Sequence, residues 1–473
     1  MILLDDKQRQ PLHIKIYDQI KSQITAGTLE PHAKLPSIRS LCAELAVSHN
    51  TVEYAYQQLL AEGYIYSKPK SGYYVSLLDA EFLPPSLPES NTCSKILSEQ
   101  QPLYNFDFHP ASLALESFPA ALWRKLMTGC LRDEPGQFAG YGSRQGDWAL
   151  RSEIRSYLAR SRGVICEPEQ IVICAGLQDS LSIIVPLLRP NHSLLAVEEP
   201  GHFIPRTVFH NHLFTTAPIP VHVDGLDLGA LQASRSTVVY VTPSHQFPLG
   251  HIMPVANRLK LIEWAESVGG VIIEDDYDSE LRYQGSPVPA LQGLHPQASI
   301  IYIGTFSKVL SPALRVSYMV LPKQMLERYR QLFYESACSA SLLEQQTLYK
   351  FMAEGYWDRH LRRMRILYKK KHDTLVQAVH RHFGERALII GQGAGLHVVL
   401  ELLNSVFSEA ELIKRAQEKM IRLFPLSKTY MAKQTGKKLL MLGFGGIDSD
   451  EIDQGVKLLY QTCYSNIKMI FTK

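Results

Sequence analysis

Between residues 171 and 321 the chain returns repeatedly to short runs of consecutive apolar residues, at 171–174, 194–197, 238–241, 271–274, 299–303 and 316–321. A strand that is apolar at every position, rather than at every second one, is buried on both faces. The runs alternate with helical stretches such as 180–188. That combination predicts an α/β fold with a mainly parallel sheet covered by helices on both sides. Ligands of such sheets bind at the carboxyl ends of the strands, so the polar residues just after each run are the places to look for chemistry.

Three polar clusters stand there. Gly176-Leu177-Gln178 opens a helix, whose backbone N–H groups can hold a phosphate; a plain strand-to-helix turn explains the same residues. Glu274-Asp275-Asp276-Tyr277 ends a run. One of its carboxylates can keep a pyridine nitrogen protonated, and the Tyr277 hydroxyl can bond a ring oxygen; an ordinary capping or salt-bridging acid pair is the alternative. The third cluster, 305–315, holds Lys308 between two apolar runs, with Thr305 and Ser307 beside it and Arg315 seven residues on. Desolvation disfavours an ammonium, and a neutral amine attacks an aldehyde. The hydroxyls and the arginine can hold a phosphate. Aldehyde and phosphate together describe pyridoxal 5′-phosphate (PLP); a surface lysine on a strand connection is the alternative.

Composition narrows the class. A chain of 473 residues predicts two or three domains, and a hydrophobic share of 45% is that of a globular chain with a large core. No apolar run reaches membrane-span length, and the N-terminus lacks a signal-peptide pattern. Cysteines at 42, 93, 130, 166, 174, 338 and 463 form no C-x-x-C pair, so no metal centre or redox dithiol is expected. Their odd, unpatterned count suits a reducing cytoplasm.

Residues 1–78 read as a separate module. A helical stripe at 12–24 stops at Thr25-Ala26-Gly27. Ser37 caps a helix at 38–45, Ala46-Val47 turns, and Ser48 caps a third helix near 50–62. Strands at 64–66 and 73–75 flank a turn carrying Lys68 and Lys70. This order is a winged helix-turn-helix, whose second helix of the pair enters the major groove of double-stranded DNA. Ser48, His49, Asn50 and Thr51 are then placed at base edges, Arg39 at phosphate or base, and Lys68 and Lys70 at phosphates. The module holds eight Lys/Arg against seven Asp/Glu, which leaves a protein-interaction module as the alternative. Glu44, Glu53 and Glu62 are expected to face away from the helix N-termini that meet DNA. Residues 79–104, rich in proline and polar residues, read as a semi-rigid linker.

Leu35-Pro36-Ser37-Ile38-Arg39-Ser40-Leu41, Val47-Ser48, Asn50-Thr51-Val52, Glu62-Gly63-Tyr64 and Ser71-Gly72-Tyr73-Tyr74-Val75 resemble the DNA-binding domain of GntR-family transcription regulators. That family usually has arginine where this chain has His49. The phosphate loop, acid, lysine and downstream arginine resemble, in that order, the fold-type I PLP enzymes of the class I aminotransferases. The resemblance implies that Lys308 forms the Schiff base with PLP, that Asp275 pairs with the pyridine nitrogen, and that Tyr277 bonds the ring hydroxyl. Thr305, Arg315 and the backbone of Gly176, Leu177 and Gln178 would hold the phosphate, and His202 would stack on the ring. Tyr141-Gly142 is similar to the segment that reaches a partner subunit's phosphate, implying a homodimer.

The whole chain resembles MocR-type regulators, with 105–473 as an aminotransferase-like domain ending in a small α+β subdomain. The stretch 242–250 is similar to that subfamily: the enzymes have Asn-Pro-x-Gly there, and Phe247 replaces the asparagine that bonds the ring hydroxyl. The enzymes also clamp the substrate carboxylate with an arginine where this chain has Met441, leaving Lys428 and Arg206 as candidates for an effector carboxylate. The implied function is transcription regulation by an amino compound, through an external aldimine, or by PLP itself. The alternative is an active aminotransferase carrying a DNA-binding arm.

Overall fold

The structure is a computed structural model and describes residues 10–78, 104–133, 135–189, 191–283, 288–432 and 437–464. It divides into two compact units, Met1–Gln101 and Pro102–Lys473. The expected linker lies, apart from Tyr104, outside the described residues.

In the first unit α1 (Leu12–Thr25), α2 (Ile38–Leu45) and α3 (His49–Ala61) precede a hairpin of β1 (Ile65–Lys68) and β2 (Gly72–Val75). Ile16, Ile20 and Ile24 of α1, Leu41 of α2, Val52, Tyr56 and Leu59 of α3, and Ile65 and Val75 form its core. The side chains of Ser37 and Ser48 accept the N–H of the third residue onward and cap α2 and α3. Because Ser48 is the cap, α3 starts at His49, one residue before the sequence pattern placed it.

The second unit opens with β3 (Phe106–Asp107), α4 (Ala120–Asp133) and α5 (Trp148–Arg162). Its sheet is then laid down by β4 (Ile171–Cys174), α6 (Leu177–Leu188), β5 (Leu194–Glu199), α7 (Phe203–Asn211), β6 (Thr215–His222), β7 (Gly225–Leu226), β8 (Val238–Val241), β9 (Val271–Asp276), β10 (Ile300–Thr305) and β11 (Ser317–Val320). The eight strands run in the order β4-β11-β10-β9-β8-β5-β6-β7. Strands β10, β9, β8, β5 and β6 are successively parallel, whereas β11 is antiparallel to both its neighbours and β7 to β6. Alternate residues of one strand enter different apolar clusters: Leu195 and Val197 join one, Ala196 the other, and Ile273 and Ile272 divide likewise. The sheet is therefore covered on both faces, as continuous apolar runs require.

A smaller part follows. Strands β12 (Ala387–Ile390), β13 (His397–Leu402) and β15 (Leu439–Gly443) form an antiparallel sheet, and β14 (Ile421–Arg422) pairs with β3. The long helix Tyr356–Phe383 and the helix Ile452–Tyr464 pack on it. Among the described residues no helix is long and apolar enough to cross a membrane.

One ion pair holds the sheet edge in place. Arg162, at the end of α5, donates from Nε to Asp276 Oδ2 at 2.6 Å and from Nη2 to Ser244 Oγ at 2.6 Å, and from Nη1 to the Val288 carbonyl. Tyr302 on β10 donates to the same Asp276 oxygen at 2.6 Å. Both charged side chains are almost wholly buried, and removing one partner of such a pair strands the other. Arg162→Ala is expected to destabilise the second unit by about 3–5 kcal/mol in urea unfolding. Arg162→Lys, which keeps charge but loses the planar fork, should recover only part of that.

Candidate functional site

Every polar cluster singled out in the second unit lies at the carboxyl edge of the parallel strands. Lys308 follows β10 and is half-buried, its Nζ donating to the Pro110 carbonyl at 3.2 Å. Burial holds its amine below the ordinary lysine range, opposed first by the charge of Asp278 and then by that of Asp275. Asp275 lies near the end of β9, with Tyr240 of β8 donating to its Oδ2. Burial pushes the Asp275 carboxyl up to about 7, against the Tyr240 hydrogen bond and the Lys308 charge.

A corner suited to an anion forms where β4, α6 and β11 meet. The guanidinium of Arg315, whose backbone is left-handed at φ 52°, donates to the Ala175 carbonyl at 2.6 Å. It lies flat against Gly176, and a Cβ there would overlap Nη2. The Gly176 N–H is committed to Ser317 Oγ at 2.9 Å. Of the three expected amides, those of Leu177 and Gln178 open α6 without a hydrogen-bond partner among the described residues. Thr305 Oγ1 donates to Ser307 Oγ at 3.0 Å and accepts the Ser307 N–H at 3.1 Å. Free helix N-terminal amides beside a guanidinium make a ready anion site.

An aromatic wall follows. His202 caps α7 by accepting the Ile204 N–H at 3.2 Å, and its ring centroid lies 5.0 Å from those of both Phe203 and Phe247. Burial, with lesser help from the charges of Lys308 and Arg206, brings His202 down to about 3, so the ring is neutral. Tyr277 Oη stands 2.9 Å from His245 Nδ1, and the same nitrogen lies 2.9 Å from Asp278 Oδ2. His245, Asp278 and Tyr240 are site residues that sequence reasoning passed over. His245 sat inside a quoted motif, but nothing local tied it to Asp278.

Met441 is buried in an apolar cluster with Phe247, Val399, Phe424, Leu426 and Leu439. The two alternative clamp residues meet: Arg206 Nη2 donates to the Lys428 carbonyl at 2.6 Å, while the Lys428 side chain is exposed. Two further bonds close the same seam. Gly201 N–H donates to the Thr429 carbonyl at 2.9 Å, and Glu199 Oε1 accepts the N–H of Met431 at 2.6 Å and of Ala432 at 3.1 Å. Tyr141 is 96% exposed, with no hydrogen bond or ring contact among the described residues.

In the first unit Arg39, His49, Asn50, Lys68 and Lys70 are all exposed. Two expectations change. Ser48 and Thr51 share a hydroxyl contact of 2.7 Å and an N–H bond of 3.3 Å, so their side chains are engaged in capping α3. Glu53 does not face away from the helix start: its Oε2 lies 3.4 Å from His49 Nδ1, because residues four apart share a helix face. Lys68 Nζ sits 4.6 Å from the Tyr74 ring centroid, and Lys70 occupies the left-handed tip of the wing at φ 60°.

Residues 12–75 match the family described as bacterial regulatory proteins, gntR family, and residues 114–457 match aminotransferase class I and II. The chain is 38% identical over 449 residues to the uncharacterized HTH-type transcriptional regulator YdeL of Bacillus subtilis (strain 168), covering 95% of this chain and 96% of that one. It is 33% identical to the probable rhizopine catabolism regulatory protein MocR of Rhizobium meliloti, over 97% of this chain and 95% of that one. Among solved structures it is similar to LysN, an α-aminoadipate aminotransferase from Thermus thermophilus, with a TM-score of 0.69 and 25% identity over 76% of this chain and 92% of that one.

The anion corner can be tested directly. Gly176→Ala drives a methyl into the Arg315 guanidinium at a backbone φ of +103° that side chains resist. It is expected to weaken the binding of a phosphate-bearing ligand at this corner at least about tenfold, some 1.4 kcal/mol, by equilibrium dialysis with PLP as the probe.

Proposed function

The chain belongs to the GntR family of bacterial transcription regulators, in the MocR-type arrangement of a DNA-binding unit joined to an aminotransferase-like unit, and we propose that the second unit binds pyridoxal 5′-phosphate through Lys308 to sense a small amino compound or PLP itself. The observation that carries this is convergence. A half-buried amine, a buried acid and an arginine-lined anion corner stand at the carboxyl ends of neighbouring strands, while Met441 is packed in apolar side chains.

The donors fit the group. Arg315, Thr305 and the amides of Leu177 and Gln178 would hold its phosphate, with the Gly176 amide steadying Ser317 instead. Asp275, fixed by Tyr240, would keep the pyridine nitrogen protonated, a cation that in turn favours the ionised carboxylate. His202 would lie against the ring face and Tyr277 at the ring oxygen. When bound, the group supplies an aldehyde carbon on which one amine can replace another. Lys308 is suited to make that bond because burial favours its neutral amine.

Arg206 and Lys428 would meet the carboxylate of an amino acid-like effector. The planar arginine that aligns a substrate for turnover has no counterpart at Met441, which favours sensing over catalysis. Tyr141, on the surface, would reach the phosphate of a second protomer in a homodimer. Residues 1–78 would then act as reader, 79–104 as linker and 105–473 as sensor. Coupling requires that the effector bind two conformations with different affinity.

Two measurements test this. The purified protein is expected to show a visible–ultraviolet boundary band that an amine panel alters and Lys308→Ala abolishes. Operator affinity or bend in gel-shift assays should change with one of those amines or with PLP; indifference to all of them and to Lys308→Ala would refute sensing. Rapid conversion to pyridoxamine phosphate with common amino acids in a single turnover would instead favour a working aminotransferase.

On the DNA side, Lys68→Ala and Lys70→Ala should each reduce the slope of log K against log salt by about 0.9, one phosphate contact apiece. Arg39→Ala is expected to weaken operator binding as well, read in the same titrations.

A further inference from the structure

The cofactor assignments above leave His245 and Asp278 without a role, yet both are buried and tightly constrained. The His245 ring is wedged between two glycines of positive φ. A Cβ on Gly250 would lie 3.1 Å from its Nε2, and one on Gly395 would overlap its Cε1 and lie 2.5 Å from Asp278 Oδ2. Nδ1 faces both Asp278 oxygens, at 3.1 and 2.9 Å. A carboxylate only accepts, so the ring proton belongs on Nδ1. Nε2 has no partner among the described residues.

That proton decides what Tyr277 does. Its Oη is 2.9 Å from the same Nδ1. A nitrogen that already carries hydrogen cannot accept one, so the Tyr277 oxygen faces an N–H; Asp278 is within reach of the Tyr277 hydrogen, and Nδ1–H competes for that carboxylate and so leaves the hydrogen available to another acceptor. Burial first, and then the Asp278 charge, push the Tyr277 hydroxyl well above the ordinary tyrosine range, so the hydrogen stays on it. Phe247, 6.1 Å from the Tyr277 ring, offers no polar atom to share the task.

We propose that His245 and Asp278 are a positioning pair: through Nδ1–H they hold Tyr277 as a hydrogen-bond donor to the ring oxygen of PLP, and Asp278 sets a negative charge beside Lys308. The pair thereby compensates for the contact that Phe247 cannot make. The other charged or titratable groups acting with Lys308 are Asp275 of β9 and His109, His202 and His397. Burial brings His202 and His397 to about 3, so neither imidazole adds charge there. This inference rests on the reading that the second unit binds PLP.

The test is a pH titration of the full-length, PLP-loaded protein, following the midpoint at which the bound cofactor's visible band changes. A donor to the ring oxygen draws off charge that would otherwise hold the proton at the lysine nitrogen. Tyr277→Phe should therefore raise the midpoint, by about one unit. His245→Phe frees the Asp278 carboxylate to take the Tyr277 hydrogen and should raise it similarly. Added to Tyr277→Phe it should have no further effect, because it acts through that hydroxyl. Asp278→Asn keeps an acceptor for Nδ1–H but removes the charge, and should lower the midpoint by about one unit.

Additive shifts for His245→Phe and Tyr277→Phe, or an unmoved midpoint in Asp278→Asn, would overturn the proposal. Where His245→Phe fails to fold, His245→Asn, whose amide N–H can stand in for Nδ1–H, replaces it: a midpoint near that of the unaltered protein is expected, and a rise as large as that of Tyr277→Phe would overturn the proposal. Absence of any such band in the unaltered protein would overturn the cofactor reading itself, and this proposal with it.

Discussion

Three consecutive carboxylates end strand β9, and all three are buried. A carboxylate out of water is costly unless something answers it, and the second unit answers these three unequally. Glu274 accepts the N–H groups of Leu291 at 2.8 Å and Gln292 at 3.1 Å, at the start of a short helix. Asp276 takes Arg162 and Tyr302. Asp275 receives one hydroxyl, that of Tyr240. Asp276 with its ion pair and Glu274 with its two N–H groups lock the strand end to α5, to β10 and to the segments around Ser244 and Leu291. The under-answered acid between them is held rigidly at the sheet edge with capacity for a cationic partner.

The same imbalance recurs at the neighbouring strand ends with the opposite sign. Lys308 is half-buried with one backbone carbonyl for company. Arg315 and the opening amides of α6 concentrate positive character at the Ala175–Gly176 turn. The edge of the sheet thus has an anion-seeking end and a cation-seeking end with an amine in between. A phosphorylated pyridine aldehyde matches that sequence of charges. The match comes from the order in which the strands deliver these side chains.

Much of this order was legible because local patterns carried it. Continuous apolar runs located the strands, and the residue after each run located the polar clusters, since a strand end is defined by its own sequence. The module at 12–75 was legible for the same reason: caps, turn residues and stripe all lie within it. Strand β6 was missed because Pro218 and Pro220 and its exposed positions look unlike a buried strand; it lies near the sheet margin beside the two-residue β7, where prolines are tolerated. Contacts between distant segments were illegible. His245 and Asp278 are 33 residues apart, and Arg206 and the Lys428 carbonyl 222 apart. The local helix reading also failed for Glu53, where i,i+4 geometry outweighed an expectation based on charge alone.

The seam between the α7 region and residues 428–432 has a consequence for dose. Arg206 is already engaged by the Lys428 carbonyl, and Glu199 and Gly201 tie the same segment down. An anion that recruits Arg206 must compete with that carbonyl, so part of its binding free energy goes into loosening the seam. Apparent affinity then scales with the fraction of molecules in which the seam is already open. Losing the Glu199 bonds would therefore raise the apparent affinity for such a ligand without touching the ligand at all. The apparent affinity of such a ligand would then depend on the seam as well as on the groups that touch it.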